Sequence, residues 1–193
     1  KPNGSLAYPM LAGAMLKKGI EVDIFDACVG NDRDDLEEMF YKATDISNGL
    51  LRTGVSEERI LEEVLHFDVI GFTSIFSSQE SILLSTIRLI KAAFPVKLLI
   101  AGGFNARHRM NSFFASGIDL ISTSEAEVTI LKIVEVLQIN SRDFSNIPAL
   151  AFQVDGKIVE NRTNDIIWDL DELPMPAWHL LPNERYWKLG RPH

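Results

Sequence analysis

The chain has 193 residues, 46% of them apolar and 24% charged, with 19 Lys and Arg against 27 Asp and Glu and a formal net charge of −8. Enough apolar surface exists to offset ordering entropy, so disorder is excluded as the main state. A broad nucleic-acid surface is excluded too, since it needs clustered cations. The single cysteine, Cys28, rules out a disulfide framework, a Cys-rich zinc site and a Cys-ligated iron–sulfur cluster within these residues. A reducing cytoplasm is the expected location. Apolar runs such as Val96 to Phe104 fall well short of the roughly 20 residues that span a bilayer, and Pro9 and Gly13 break the first one. Neither a membrane segment nor a signal peptide is expected. The chain starts at Lys1 rather than Met and reads as a cut fragment.

In chain order, Leu6 to Lys18 reads as a helix stopped by Gly19, which suits a left-handed cap. Pro9 is tolerated there only in the first turn. Glu21 to Asp26 alternates with period 2 and predicts a strand. Residues 32 to 66 are charged and predict two helical pieces parted near Ser47-Asn48-Gly49. The second piece, Ser56 to His66, carries Ile60, Leu61, Val64 and Leu65 at helical spacing. Asp68 to Thr73 is a buried-type strand, Gln79 to Phe94 a helix ended by Pro95, and Val96 to Ala101 a strand that runs into Gly102-Gly103. Residues 107 to 116 predict a short helix, Gly117 to Ser122 a strand, and Glu125 to Gln138 a helix. Strands alternating with helices imply right-handed parallel βαβ units.

After Asn140 the pattern changes. Ala149 to Val154, Asp155-Gly156 and Lys157 to Glu160 predict a β-hairpin, Asp-Gly suiting a type I′ turn. The prolines of Asp169 to Trp178 predict an extended connector. The whole is expected to be an α/β fold, a flavodoxin-like doubly wound parallel sheet with an added β-hairpin and an extended C-terminal connector. Such a sheet opens with a strand before its first helix. Too few residues precede Leu6, so that first strand is expected to be missing and its slot beside 68–73 open. Residues 1–140 are expected to form the α/β domain and 141–193 the hairpin and connector.

Open parallel sheets bind ligands outside the carboxyl ends of their strands. Asp26-Ala27-Cys28, Thr73 to Ser78, Gly102 to Asn105 and Thr123 to Glu127 lie at that edge. Gly102-Gly103 can let a flat ligand approach the backbone, or be a plain turn. The Thr73 to Ser78 hydroxyls can bind a ligand, but Ser77 with Glu80, and Ser124 with Glu127, have the spacing of capping boxes. Asp26 closes a strand as dinucleotide-fold acids do, yet no G-x-G-x-x-G precedes it, and there is no P-loop. No two of His66, His108, His179 and His193 have metal-ligand spacing. No catalytic and no metal-binding residue is expected.

Taken together, several segments resemble the N-terminal cobalamin-binding domain of cobalamin-dependent radical S-adenosylmethionine (SAM) enzymes. They are Pro2 to Tyr8, Leu16 to Ala27, Asp68 to Ser74, Ala101 to Ala106 and the Glu125–Glu127–Thr129 pattern. Leu170 to Trp178 is similar to the family's stretch before the radical domain. Ser74-Ile75-Phe76 followed by Gly102-Gly103 loosely matches its cobalamin signature. The resemblance implies a cobalamin site of Thr73, Ser74, Ile75, Gly102, Gly103, Phe104, Asn105, Ser124 and Glu125, with the nucleotide tail passing Gly102-Gly103. A branched side chain at Gly103 is expected to collide with that tail. The D-x-H-x-x-G loop of the methionine synthase type has no counterpart in Pro2 to Ala7, which carries no histidine, so cobalamin is expected to bind without a histidine lower ligand. Gly-Glu-Gly-Glu is here Ser124-Glu125-Ala126-Glu127. The C-x-x-x-C-x-x-C motif is absent, so the 4Fe-4S cluster and SAM are expected only in a downstream radical SAM domain joined in cis. The implied parent is a methyltransferase or a related radical enzyme, with this region non-catalytic and neither nucleic acid nor membrane as partner. The residues leave two alternatives open: a receiver-like regulatory module without cofactor, or a nucleotide-sugar-binding transferase domain of Rossmann type.

Overall fold

A computed structural model describes residues 6–47, 50–163 and 169–190. The elements in chain order are α1 (Ala7–Lys17), α2 (Leu36–Tyr41), β1 (Thr44–Ser47), β2 (Leu50–Arg52), α3 (Glu57–Val64), β3 (Val69–Thr73), α4 (Glu80–Ala93), β4 (Leu98–Gly102), α5 (Phe104–His108), α6 (Met110–Ser116), β5 (Leu120–Ser122), α7 (Ala126–Gln138), β6 (Leu150–Val154), β7 (Lys157–Asn161) and α8 (Asn183–Lys188). No described helix is long and apolar enough to cross a membrane.

The main sheet has the order β3-β4-β5-β6-β7. β3, β4 and β5 run parallel, and β6 and β7 continue the sheet antiparallel. The apolar run of β4 is buried because both of its faces are covered. Leu99 and Ala101 join Ile87, Ile90, Phe113 and Phe114 on the side of α4 and α6. Leu98 and Ile100 join Ile133, Phe144 and Ile147 on the side of α7. Period-2 alternation thus sends one strand's side chains into two cores, as a doubly wound sheet requires. The hairpin expected at 149–160 forms, with positive φ at Asp155 (50°) and Gly156 (73°), as a type I′ turn demands. It is not an appendage, because β6 pairs directly with β5.

α1 carries Pro9 in its first turn and ends before Gly19 at φ 72°, as expected. Two other expectations are corrected. Residues 44–47 and 50–52 are not helical but form the separate antiparallel pair β1–β2, with Thr44 opposite Arg52 and Ser47 opposite Leu50; the parting expected near Asn48-Gly49 lies outside the described residues. β-branched Thr44 and Ile46 outweigh the charged pattern. Glu21 to Asp26 is neither helix nor strand and joins no ladder. It is held through side chains instead, Phe25 packing on the core and lying under Arg59 at 5.2 Å.

β3 therefore ends the main sheet. Leu98 donates to the Asp68 carbonyl and Ser74 to the Gly102 carbonyl, so even-numbered residues of β3 face β4. Odd-numbered Val69, Gly71 and Thr73 face outward by alternation. The Thr73 N–H is satisfied by the Tyr8 hydroxyl of α1, at 3.1 Å. No described strand pairs with this outer edge, which is where the missing strand was expected.

The connector is not simply extended. Short 3₁₀ turns at Leu170–Glu172 and Trp178–Leu180 lead into α8. Gly13 of α1 lets the Met175 carbonyl approach where a Cβ would collide, and Ala177 donates to the Pro9 carbonyl at 2.8 Å. Tyr8→Phe should remove the single bond to Thr73, costing about 1 kcal/mol. Denaturant unfolding together with amide exchange checks this: the Thr73 amide should lose protection while Ile70 and Phe72, which face β4, keep theirs.

Candidate functional site

The carboxyl ends of β3 and β4 are joined by backbone. Ser74 continues the ladder one step past β3, its N–H reaching the Gly102 carbonyl at 2.8 Å. Its own carbonyl then accepts the Asn105 N–H at 2.9 Å, from the first turn of α5. Gly103 sits between at φ 94°, and a Cβ there would lie 2.6 Å from the Ser74 carbonyl oxygen. The neighbouring loop thus already forbids a side chain at Gly103, independently of any ligand that passes it. Gly102 is different: the nearest atom to a Cβ is the Ser122 Cβ, at 3.9 Å. Of the two glycines, Gly102 is the one that leaves open room at the edge.

Side chains build on this hinge. Ser74 and Asn105 are buried, 4% and 5% exposed. The Asn105 amide nitrogen donates to Ser74 Oγ at 3.0 Å and to Glu80 Oε2 at 2.9 Å. Arg109 Nε lies 3.4 Å from the other Glu80 oxygen. Glu80 is thus no part of a capping box; Ser77–Gln79 forms a 3₁₀ turn without a side-chain cap. The box at Ser124 and Glu127 is absent as well. α7 has Glu125 as its N-cap residue with no side-chain cap bond, and Ser122 Oγ donates to the Ser124 carbonyl at 3.3 Å.

Around this polar centre the edge is apolar and open. Ile75 and Phe76 are exposed, and Phe104 is 66% exposed. The Phe104 ring lies against that of His108, 4.0 Å between centroids, and His108 Nδ1 is 2.8 Å from the Phe104 carbonyl. Thr73, Ser74, Ile75, Gly102, Gly103, Phe104 and Asn105 are thereby brought to one place by β3, β4 and α5. Ser124 and Glu125 stand at the next strand end, where Ser124, Arg107, Thr123, Glu160, Arg162 and Thr163 line an open hollow of about 260 Å³.

A second cluster escaped the sequence reading. The Tyr186 hydroxyl donates to Asp26 Oδ2 at 2.6 Å and the Cys28 N–H to Asp26 Oδ1 at 2.9 Å. Arg185 donates to the Val29 and Asp34 carbonyls at 2.8 and 2.9 Å. The Arg185 and Tyr186 contacts span more than 150 residues of sequence, so no local pattern could reveal them. With both oxygens engaged, Asp26 is a structural acceptor, unlike the exposed acid that a receiver-like module or a dinucleotide site would need. Burial, then the Asp26 charge, pushes the Cys28 thiol up to about 12. The same causes in the same order raise Tyr186. Burial also raises Tyr8, against the pull of its bond with the Thr73 N–H.

The fold is a flavodoxin-like α/β layer with an added antiparallel hairpin. The resemblance to cobalamin-dependent radical SAM enzymes is borne out by the proteins this chain is similar to. A cytidylyl-2-hydroxyethylphosphonate methyltransferase of Streptomyces wedmorensis is 26% identical over 212 residues, covering 94% of this chain and 38% of its own. An uncharacterised methyltransferase of Pyrococcus horikoshii is 31% identical over 75 residues, covering 39% of this chain and 16% of its own. The cobalamin-dependent SAM radical enzyme OxsB, solved with aqua-cobalamin bound, superposes at TM-score 0.74 and 16% identity over 99% of this chain and 24% of its own. The radical SAM methyltransferase TsrM of Kitasatospora setae, solved with cobalamin and a 4Fe-4S cluster, does so at TM-score 0.62 and 16% identity over 83% of this chain and 28% of its own. No family model matches. The chain therefore spans well under half the length of each of these proteins.

Two outcomes follow. Gly103→Ala should destabilise the fold by about 1–3 kcal/mol through its positive φ alone, with the Ser74 collision added, whereas Gly102→Ala should be tolerated; thermal unfolding of the pair checks this. The second concerns alkali. An acid whose pKa is raised on folding holds its proton more tightly when folded, so the stability linked to it is complete below the unfolded value and falls as pH rises. For Cys28 the fall should run from about 9, its ordinary value, toward 12. Urea midpoints across that window should drop, and Cys28→Ala should make the drop shallower.

Proposed function

We propose that this chain is the cobalamin-binding part of a larger radical SAM enzyme, the parent being a methyltransferase or a related radical enzyme. The observation that carries the reading is the uncrowded backbone at Gly102, between the exposed apolar Ile75, Phe76 and Phe104 and the polar centre of Ser74 and Asn105. A flat, largely apolar ring with a polar tail matches such an edge. Cobalamin supplies, when bound, a cobalt centre able to carry an alkyl group. Thr73, Ser74 and Asn105 would meet polar groups of its tail, Gly102 would let the tail approach the backbone, and Ile75 and Phe104 would cover apolar surface. Ser124 and Glu125 would border the tail at the next strand end. The reading is supported by the kinds of protein that share this fold, two of them solved with cobalamin bound.

The binding mode is without a histidine lower ligand. The reading rests on the absence of histidine from Pro2 to Ala7; His108, at this edge, stacks on the Phe104 ring and sets its Nδ1 at 2.8 Å from the Phe104 carbonyl. The SAM and 4Fe-4S chemistry would belong to a radical domain in cis in the parent enzyme. Incubation with aquacobalamin followed by gel filtration should leave a cobalamin visible spectrum on the protein. His66→Ala, His108→Ala and His179→Ala should leave that bound spectrum unchanged. Gly102→Val should lower retention without unfolding the chain. A protein peak free of cobalamin, or a histidine substitution that shifts the bound spectrum, would sink the reading.

A further inference from the structure

Ser122, Leu150 and Asn161 lie in one row across the sheet, since Leu150 pairs with Ser122 on one side and with Asn161 on the other. β7 therefore runs in the same direction as β5, and both end at the carboxyl edge, flanking the first residue of β6. Thr123 and Ser124 leave that row from β5, and Arg162 and Thr163 leave it from β7. Two strand spacings, roughly 9–10 Å at the backbone, separate the two exits. The hollow of about 260 Å³ opens between them, and Arg107 lines it from a third element, α5. Arg107 Nη1 donates to the Thr123 carbonyl at 3.0 Å, which anchors its guanidinium over the end of β5. Among the described residues this is its one side-chain hydrogen bond, and it has no carboxylate partner. That is not for want of acids, since Asp and Glu outnumber Lys and Arg by 27 to 19. Arg162 Nε lies 3.3 Å from Glu160 Oε2, with the Arg162 side chain 86% exposed. Such a surface pair is worth little and yields readily to a more highly charged acceptor.

We propose that this hollow is an oxyanion site for a phosphoryl group, the anionic end of the substrate that the parent enzyme brings to cobalamin. The ligand class follows from the arrangement of donors. Two arginines outweigh the one glutamate of the lining, and hydroxyls from Thr123, Ser124 and Thr163 stand beside them. Donors carried by three separate elements surround an occupant instead of meeting it in one plane. A phosphoryl group, with several terminal oxygens and a good match to the guanidinium fork, suits them better than a planar carboxylate. The volume lies below the roughly 300 Å³ from which pockets begin to bury whole small ligands, so the hollow takes an end group and not an entire substrate. Arg107 stands three residues after Phe104 on α5, so the two share a helix face. The anion would thus be held one turn from the ring assigned to the corrin. The substrate assignment rests on the cobalamin reading above; the oxyanion site does not.

Inorganic phosphate, methyl phosphate and acetate are titrated into the chain at constant ionic strength, read by the amide NMR shifts of Arg107, Thr123, Ser124 and Thr163. Both phosphates should saturate with a Kd on the order of 1–10 mM, the worth of about two hydrogen bonds to charged groups. Acetate should bind at least about fivefold more weakly. R107Q keeps a donor for the Thr123 carbonyl but loses the charge, and should weaken phosphate about tenfold; R162A should weaken it about two- to fivefold. If thermal unfolding shows that R107Q does not fold, R162A and the charge reversal R162E, at an exposed position, carry the comparison, and R162E should abolish binding. The titrations are repeated with cyanocobalamin bound, whose cobalt already carries its upper ligand and so leaves no place on the metal for phosphate. Phosphate should bind the loaded chain within about twofold of the empty one, as uncoupled sites require, and R107Q should retain cyanocobalamin as the parent does. Shifts that fail to saturate, or that the arginine variants leave unchanged, overturn the site. Acetate binding as tightly as phosphate overturns the phosphoryl class. Competition between phosphate and cyanocobalamin, or loss of cyanocobalamin by R107Q, assigns the hollow to the phosphodiester of the cobalamin tail and overturns the substrate assignment. A chain that binds phosphate but no cobalamin removes the cobalamin reading, and with it the substrate assignment, and leaves the oxyanion site standing.

Discussion

The site depends on the backbone hand-over at Ser74. One residue past β3 still pairs with β4, and its carbonyl is taken by α5 rather than by water or a further strand. This ties two strand ends and a helix start into one rigid corner. Gly103 makes the corner possible, because only a positive φ brings α5 back over the Ser74 carbonyl and only a missing Cβ leaves room for it. The direction of the Asn105 side chain, the pairing with Glu80 and the open backbone of Gly102 all follow from that corner. A loop held only by side chains could not place a buried serine and a buried asparagine 3.0 Å apart.

The two ends of the sheet are finished differently. At the amino end, Lys91 binds both oxygens of Asp119 and the Lys97 carbonyl, and Asp119 accepts the Leu99 N–H. Lys97 closes onto the Leu65 and Phe67 carbonyls. Charges there are spent on sealing loops to strands. At the carboxyl end bonds tie the β3–β4 corner together, and aromatic and aliphatic side chains remain at the surface beside it. Exposed apolar groups there stand beside buried, mutually hydrogen-bonded polar ones.

The parallel layer was legible because buried strands such as 98–102 and amphipathic helices such as 80–93 combine hydrophobic period with clear stops at Pro95 and Gly117. The type I′ turn was legible in two residues, Asp155-Gly156. What failed was weighing strand against helix in charged, short segments. Residues 44–47 and 50–52 paired as strands, and 21–26 had the alternation of a strand but no neighbour to pair with among the described residues. At the site, Gly102-Gly103 was visible as a pair, but the different work of the two glycines was not. That difference lies in what surrounds each Cβ position, and no single-sequence pattern encodes it. Glu80 was misread because the capping spacing is local, whereas its partners Asn105 and Arg109 are brought up by a different βα unit.

The clasp of α8 onto the loop at 26–34 joins residues near opposite ends of the chain. Closing so large a loop carries an entropy cost that local contacts do not repay until the sheet exists to hold both partners. The Arg185 and Tyr186 contacts should thus form after the βαβ core and be first to open. Because few backbone bonds hold α8, its release need not disturb β3–β7. The molecule would have a sub-global open form in which the connector is loose and the strand-end corner intact. Proteases should nick such a form in the connector while sparing the sheet.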